Sequence, residues 1–381
     1  MRVLFHVQHL LGVGHLRRGE LITNALADRG IEVTVALGGH PVAEIPFARA
    51  NVVQLPQVSI RDADFKVLYD EAGEPVTEAW RAMRRDALLD LYRRTRPDVV
   101  LLEMYPFGRW RFGFELEPLL SLAAEDKPRV KCATSVRDIL VATKHPERAR
   151  KGLDIARRTL DRVLVHSDPT LFTFGETYPH AGEIAELIGY TGYVTEPAGG
   201  RSGAKTGDVI VSAGGGAAAG ALFEAAIAAR PLTALKDRTW RIFTGPRFPE
   251  ADFRALKQQA GAGIVVERFA ADFQERLDGC ALSISQAGYN TVMNLLRAEA
   301  PAIVIPYDAA EETEQLFRAR RLEELGLLTI LAAGDLGPQT LSGAIAKTLE
   351  RESGERRRID LDGAEHTAAM IEAMIRGEAG G

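Results

Sequence analysis

The 381-residue chain carries 47 Lys and Arg against 52 Asp and Glu, a formal net charge of −5 at pH 7, with 46% hydrophobic and 26% charged residues. A chain of this length predicts two domains rather than one, and its acidic balance argues against a protein that binds nucleic acid over its whole surface. Its two cysteines, Cys132 and Cys280, lack metal-type spacing, so they indicate neither a disulfide framework nor a zinc site.

The sequence also bears on membrane association. No apolar run approaches the roughly 20 residues that span a bilayer, and the chain opens on a strand-like run without a leader pattern. We therefore expect a cytoplasmic protein. The stretch "PFGRWRFGF" interleaves Trp110, Phe112 and Phe114 with Arg109 and Arg111. This amphipathic pattern leaves peripheral contact with a membrane open.

The first elements form a strand, a loop and a helix. The apolar run "RVLFHV" predicts a strand buried in a parallel sheet, and apolar residues at helical spacing from Leu16 to Leu26 predict the helix. The run "IEVTVAL" then completes a βαβ unit. In the loop "HLLGVGHLRRG", Gly12 and Gly14 keep side chains away from the helix N-terminus, which is an end that attracts anions.

Three interpretations of this loop compete. A dinucleotide-binding fingerprint requires a third glycine where Arg17 stands and an acid after the second strand, where "VALGG" has none. A plain structural turn is the second interpretation. We favour the third, a substrate-binding turn, because a tight turn alone has no need of His15 at the start of the helix.

Alternating strands and helices continue through both halves of the chain. The first half has the strand-like runs "NVVQLP", "DVVLLE", "RVKCATSV" and "RVLVHS", and the second half restarts with "DVIVSA" after a stretch rich in Gly, Pro and Ser. We predict an α/β protein of two Rossmann-like domains that face each other across a cleft. The predicted parts are residues 1–194, a linker at 195–207, residues 208–362, and a C-terminal helix and tail at 363–381.

Polar and glycine-rich turns mark the second half. Gly214, Gly215 and Gly216 stand between a strand and a helix, where backbone N–H groups suit a diphosphate and a tight structural turn is the alternative. The stretch "SISQAGYNTVMNLL" brings five polar or small residues to another helix start, more than helix capping requires. They are Ser285, Gln286, Gly288, Asn290 and Thr291. Glu314 begins a third helix, where acids also favour the helix dipole.

The order of these motifs resembles the glycosyltransferase 28 family. The resemblance lies in the glycine loop, "RF" after a strand, "SQAGYNT" and "PYDAAEETEQLFRARRLEELG", and "GVGHLRRG" is similar to the family's N-terminal loop. It implies the GT-B fold and an inverting transfer of a sugar from a nucleotide-sugar donor, with a UDP-sugar as the expected donor, to an acceptor hydroxyl.

The resemblance also implies residue roles in a donor site. The three glycines would hold the diphosphate, and Phe269 with the backbone near Ala270 would cover the base. Arg268, beside them, would also belong to the donor site. Ser285, Gly288 and Thr291 would line the pocket together with their neighbours Gln286 and Asn290. Asn294 stands where the family has a ribose-binding glutamate, so the choice of UDP is an open question. Glu314 and Gln315 match the paired residues that hold the donor sugar, and one of that pair has changed.

The chemistry requires a base that removes the acceptor proton. His15 is the first candidate, because the positive end of a helix dipole favours neutral imidazole. Glu103, at the end of "DVVLLE", is the rival. Gly14, Arg17, Arg18, Arg137 and Asp138 are candidate acceptor-binding residues, and a structural ion pair is equally open for the last two.

We expect no cofactor and no metal ion, since "RDAD" at 61–64 lacks the context of a metal motif. The expected partners are a nucleotide sugar and a hydroxyl acceptor of unknown class, such as a lipid-linked sugar, a glycan or a small molecule, and no nucleic acid. Two alternative functions stay open. A nucleotide-sugar hydrolase would use water as the acceptor in the same site, and a non-catalytic sensor would have no need of His15.

Overall fold

Each half of the chain folds around its own parallel β-sheet. The first unit contains Met1–Thr195 and Asp360–Gly381, and the second contains Glu196–Ile359. The sequence assigns 360–362 to the second domain, whereas the structure has Asp360 and the residues after it in the first unit. The computed structural model describes residues 1–10, 14–60, 67–140, 146–196, 206–213, 217–245, 248–270, 272–306, 313–351 and 358–378.

The first unit has a seven-stranded parallel sheet in the order β3-β2-β1-β4-β5-β6-β7. Its strands are β1 Arg2–Val7, β2 Glu32–Leu37, β3 Asn51–Gln54, β4 Val99–Glu103, β5 Lys131–Arg137, β6 Arg162–His166 and β7 Ile188–Tyr190. Its helices are α1 Gly14–Asp28, α2 Glu78–Thr95, α3 Gly113–Glu125, α4 Pro146–Thr159 and α11 Gly363–Arg376, numbered in chain order. The sequence did not indicate the short edge strand β7.

Helices cover both faces of this sheet, which explains its unbroken apolar strands. Along β4, Val100 and Leu102 pack in the core on one face, and Val99 and Leu101 pack in the core that also contains α1 residues such as Ile22. Because side chains alternate along a strand, Glu103 follows Leu101 onto the α1 face.

The last helix, α11, packs against α1. Ala368 and Ile371 lie in the same apolar core as the buried face of α1, and Glu372 forms a 2.7 Å ion pair with Arg29. At the start of α11, a Cβ on Gly363 would lie 2.4 Å from the carbonyl oxygen of Gly192. A glycine is therefore needed for this close approach.

The second unit has a six-stranded parallel sheet in the order β10-β9-β8-β11-β12-β13. Its strands are β8 Val209–Ser212, β9 Trp240–Phe243, β10 Ile264–Glu267, β11 Leu282–Gln286, β12 Ala302–Ile305 and β13 Thr329–Ile330. Its helices are α5 Ala217–Ala229, α6 Glu250–Gln259, α7 Phe273–Asp278, α8 Tyr289–Ala298, α9 Thr313–Glu324 and α10 Pro338–Glu350. The prediction of two Rossmann-like α/β units is confirmed.

A buried ion pair ties together the strand ends of the first sheet. Arg84 of α2 and Glu115 of α3 are both fully buried and share two short contacts, of 2.7 and 2.9 Å. The same guanidinium donates to the Gln8 side chain after β1, to the carbonyl of Gly38 after β2 and to that of Pro56 after β3. It therefore holds three loops at the carboxyl edge of the sheet.

This network generates a stability prediction. Glu115→Ala leaves a buried guanidinium without its carboxylate, so we expect the free energy of unfolding to fall by about 3–5 kcal/mol. The matched control on the same helix is Glu125→Ala, whose side chain is exposed at the end of α3. We expect that change to cost less than about 1 kcal/mol. Urea unfolding followed by circular dichroism measures both, and equal losses would contradict the prediction.

Candidate active site

The strand order of the first sheet reverses between β1 and β4. These neighbouring strands send their connections to opposite sides, and ligands of open parallel sheets bind outside the carboxyl ends of strands at such a point. His15 lies at the start of α1, the helix that follows β1, and Glu103 is the last residue of β4. The fold therefore brings the two candidate bases together, although 88 positions separate them in sequence.

Glu103 accepts hydrogen bonds from three side chains. His15 Nδ1 lies 2.5 Å from Oε1, Arg18 Nη2 lies 2.8 Å from the same oxygen, and Arg109 Nε lies 3.1 Å from Oε2. Glu103 and Arg18 are buried, whereas the His15 side chain is 23% exposed. Substrate could thus reach the imidazole but not the carboxylate, which indicates a base that is oriented by an acid.

The surroundings fix the protonation of this pair. Burial lowers the pKa of His15 well below 6.5, and the charges of Arg109 and Arg18 lower it further against the opposing effect of Glu103. Burial alone would raise the pKa of Glu103, but His15, Arg109 and Arg18 outweigh it and hold that pKa below the usual range. An ionised carboxylate can only accept, so neutral His15 carries its proton on Nδ1 and keeps a lone pair on Nε2.

A buried polar row continues from Glu103 along the strand ends. Ser135 of β5 is in register with Glu103, and its hydroxyl lies 2.6 Å from His166 Nε2. The other ring nitrogen of His166 lies 2.8 Å from the Thr191 hydroxyl. Burial lowers the pKa of His166 well below 6.5, so this histidine is a neutral link in the row.

The sequence interpretation missed two further groups near the pair. In the sequence, Arg109 is only a basic residue of an amphipathic stretch. His9 lies just after β1, where no sequence pattern marks it. Burial and the charge of Arg109 lower the pKa of His9 to about 4. Among the described residues, His9 Nδ1 and Arg109 Nη2 are buried without a hydrogen-bond partner. Buried polar atoms are normally paired, so His9 Nδ1 is a candidate for contact with a substrate.

The predicted acceptor residues of the first unit have different surroundings. Gly14 is the first residue of α1, and Arg17 is 41% exposed and paired with Glu20. Arg18, by contrast, turns inward to Glu103. Arg137 ends β5 in a half-buried position, and Asp138 is fully buried and accepts from the backbone N–H of Ile139 at 2.9 Å. These residues thus lie at the carboxyl edge of the sheet. Arg17 and Arg137 are more exposed than Arg18 and Asp138.

The stretch proposed for membrane contact does not present an exposed aromatic face. Phe112 is buried, and Trp110 and Phe114 pack partly buried against the first core. Arg109 points to Glu103 instead of solvent. The alternation in sequence arises because this segment forms a turn that leads into α3 and buries Phe112, and peripheral contact of the protein with a membrane stays a prediction. No helix among the described residues is long and apolar enough to cross a membrane.

The strand order of the second sheet reverses between β8 and β11. The last residue of β8, Ser212, is in register with Ser285 of β11, and Ser285 is fully buried. Within the described part of the chain, neither hydroxyl has a hydrogen-bond partner. Two unpaired hydroxyls at a switch point indicate a polar ligand site. Ser285 was predicted from sequence, whereas Ser212 was missed, although it ends the run "DVIVS".

The segment after β10 contains three predicted donor-site residues, and their side chains have different surroundings. Phe269 is 64% exposed, as a side chain that covers a nucleotide base has to be. Arg268 instead packs on α6: it donates to the carbonyl of Phe248 at 2.7 Å, pairs with Glu250 and lies 4.3 Å above the Phe253 ring. Ala270 is buried. We infer that Arg268 anchors the segment and leaves Phe269 at the surface.

The start of α8 has the predicted polar residues at the same sheet edge. Gly288 is the N-cap of α8, Asn290 is exposed, and Gln286 and Thr291 are half-buried. Asn294 lies one turn further along, and its carbonyl accepts from Gln274 at 3.2 Å. Because these residues follow the carboxyl end of β11, they lie beside the switch point.

In α9, Glu314 is tied to a buried cation. Arg318 is 1% exposed, and its Nη2 lies 2.9 Å from Glu314 Oε1. Gln315 is half-buried beside it. Arg318 also lies 5.0 Å from the centre of the Tyr289 ring at the start of α8. These contacts join α8 and α9 and orient Glu314, a role for Arg318 that the sequence did not suggest.

Some predicted features lie outside the described residues. These are the glycine loop Gly214, Gly215 and Gly216, Gly12 of the first loop, most of the predicted linker, the "RDAD" stretch, and residues 307–312 of the motif that begins "PYDAAEE". In the described ranges, no group of three or more His, Cys, Asp or Glu side chains is arranged to hold a metal ion.

Comparison with known proteins identifies a family domain in the second half of the chain. Residues 209–369 match the model of the glycosyltransferase family 28 C-terminal domain. A relative from Alcanivorax borkumensis, named UDP-N-acetylglucosamine--N-acetylmuramyl-(pentapeptide) pyrophosphoryl-undecaprenol N-acetylglucosamine transferase, is 30% identical over 133 residues, which are 33% of this chain and 37% of that protein. The chain thus aligns with little more than a third of the length of the first such relatives. A relative of the same name from Albidiferax ferrireducens is 25% identical over 95% of this chain and 89% of its own.

Solved structures agree on the fold. MurG of Acinetobacter baumannii superposes with a TM-score of 0.60 at 16% identity, covering 97% of this chain and 99% of its own. A calicheamicin glycosyltransferase gives a TM-score of 0.60 at 15% identity, covering 99% and 94%. The predicted GT-B class is therefore confirmed. The family match covers residues 209–369, so it identifies a glycosyltransferase family 28 C-terminal domain in the second half of the chain.

Proposed function

We propose that this protein is an inverting glycosyltransferase that moves a sugar from a UDP-sugar to an acceptor hydroxyl. The observation that carries the proposal is the 2.5 Å contact between His15 and Glu103 at the switch point of the first sheet. It leaves a neutral imidazole with a lone pair on Nε2 in a side chain that is 23% exposed, which is what a general base requires.

The reaction assigned to these residues is a single displacement. The acceptor oxygen attacks the anomeric carbon, and His15 Nε2 takes the hydroxyl proton. The bond from the anomeric carbon to the diphosphate breaks, and the nucleoside diphosphate leaves with the electron pair from the opposite face. Glu103 stabilises the imidazolium that forms, because a buried carboxylate already accepts from Nδ1.

The donor is assigned to the second unit. Ser212 and Ser285 at its switch point, the exposed ring of Phe269 and the start of α8 support a nucleotide site there. The names of the relatives support UDP as the nucleotide and a lipid-linked sugar as the first acceptor class to test. A protein with such an acceptor would work at the membrane surface, and the acceptor itself would bring it there.

The test of the function is product analysis. We expect the protein to consume a UDP-sugar rapidly only when a hydroxyl acceptor, first a polyprenyl-diphosphate-linked sugar, is present, and to form a glycoside of inverted configuration. Equal consumption of donor without acceptor, with free sugar as product, would favour the hydrolase alternative. The relatives and structures named above are all transferases and give the hydrolase no support.

Donor binding generates a prediction for the second unit. UDP at 100 times its dissociation constant should raise the stability of the protein by about 2.7 kcal/mol. Phe269→Ala removes the ring that stacks on the base, so we expect UDP affinity to fall about 5- to 100-fold, from the roughly 1–3 kcal/mol of base stacking. Titration calorimetry measures the change.

The control for this measurement is Leu232→Ala. Leu232 is 52% exposed and follows the end of α5, at the opposite edge of the same sheet. We expect it to leave UDP affinity unchanged. Stabilisation by dTDP or GDP but not by UDP would overturn the choice of nucleotide, and unchanged affinity in Phe269→Ala would remove Phe269 from the site.

The base assignment generates a second prediction. His15→Ala should lower kcat by about 10²- to 10⁴-fold, the usual contribution of a general base, and leave donor affinity nearly unchanged. Glu103→Gln should also lower kcat, because an amide neither fixes the tautomer of His15 nor stabilises its charged form. Steady-state kinetics with acceptor present measures both variants. Full turnover by His15→Ala would exclude the histidine as base, and a loss in Glu103→Gln alone would transfer that role to the glutamate.

A further inference from the structure

Each oxygen of the Glu103 carboxylate faces a guanidinium. Arg18 shares Oε1 with His15, and Arg109 alone takes Oε2 at 3.1 Å. A carboxylate held at both oxygens cannot rotate about its terminal torsion to leave the imidazole. Arg18 approaches from α1, on the same helix as His15, whereas Arg109 approaches from the far side of the carboxylate, beyond the end of β4.

The backbone after β4 fixes Arg109 in this position. Met104 and Arg109 both adopt left-handed conformations, with φ of 66° and 58°. Such conformations are unfavourable for residues other than glycine and persist where the surroundings determine them. Here the carbonyl of Met104 accepts from the N–H groups of Phe107 and Gly108, and the carbonyl of Arg109 accepts from that of Phe112. The turn is therefore built to deliver one side chain back to Glu103.

The charged side chains around His15 have a net positive charge. Its own helix contributes Arg18, β4 contributes Glu103, and the turn after β4 contributes Arg109. The segment after β1 contributes His9, whose pKa burial lowers to about 4, and β6 contributes His166, whose pKa burial also lowers. At neutral pH the neighbourhood therefore has two cations and one anion. A proton on His15 would add a third cation to a single carboxylate, so the arrangement disfavours it.

We propose that Arg109 is a positioning residue for the base: it holds Glu103 Oε2 so that the proton shared by His15 and Glu103 stays on His15 Nδ1 and Nε2 remains free. This inference rests on the proposed function, in which His15 is the base. It predicts an effect of Arg109 that passes through Glu103 to His15 and needs no contact with substrate.

The first test measures His15 in the free protein, without donor or acceptor. NMR titration of the labelled histidine ring, identified among the eight histidines by its loss in His15→Gln, gives the midpoint of protonation. Loss of a nearby positive charge favours protonated imidazole, so Arg109→Gln should raise the midpoint by about one pH unit or more. Arg109→Lys, which keeps the charge, should shift it less. An unchanged midpoint in Arg109→Gln overturns the proposal.

The control is Arg111→Gln, which removes the same charge from an exposed residue two positions further along. Its midpoint should match that of the unsubstituted protein, and an equal shift in both variants would overturn the proposal by showing a general charge effect. Thermal unfolding is measured first. If Arg109→Gln does not fold, Arg109→Met is the second neutral variant.

The second test is the dependence of kcat/KM on pH. The base must be neutral, so activity is lost below its pKa, and the acid limb of Arg109→Gln should move upward by the same interval as the NMR midpoint. A rise in KM for the acceptor with an unmoved acid limb overturns the proposal, since Arg109 would then act by contacting substrate. A protein that transfers no sugar but shows the shifted NMR midpoint refutes the proposed function and leaves the effect of Arg109 on His15 standing.

Discussion

The buried carboxylate of Glu103 is the constraint on which the first unit is organised. A lone carboxylate in an apolar sheet would be costly, so three donors from two separate parts of the chain converge on it. Its place at the end of β4, on the face that α1 covers, decides where the imidazole has to stand. The arginines, the left-handed turn and the tautomer of His15 all follow from satisfying this one group.

The two units use the same topological device for different chemistry. Each reverses its strand order once, and each collects polar groups at the carboxyl ends of the two strands at that point. In the first unit, the charged groups Glu103, Arg18 and Arg109 pair with one another. In the second, Ser212 and Ser285 are uncharged and lack partners in the described residues. This contrast fits the proposal that the first unit holds the catalytic base and that the second unit binds a polar ligand.

The sequence predicted the strands well because buried parallel strands are continuous apolar runs, and the ends of two such runs located His15 after β1 and Glu103 at the end of β4. Phe269 was named from the family resemblance, and its role stays a prediction. It could not predict that His15 and Glu103 touch, since adjacency of β1 and β4 is a matter of sheet order. Arg109 was misjudged because spacing suggested a surface pattern, whereas the turn conformation sends its side chain inward. The role of Arg18 depends on the contact of α1 with the end of β4, which is distant in sequence. The role of Arg318 depends on the packing of α9 against Tyr289 of α8.

The position of α11 has a consequence for how the molecule is made. Its apolar residues complete the core around α1, the helix that carries His15, yet the whole second unit lies between them in the chain. During synthesis, the part of the apolar surface of α1 that α11 covers stays exposed until that unit has left the ribosome. The first sheet can form early, but the helical layer of α1 and α11 on one of its faces is completed last. A nascent chain therefore exposes this surface of α1 to chaperones for most of its translation, and a fragment cut between the units would keep it exposed.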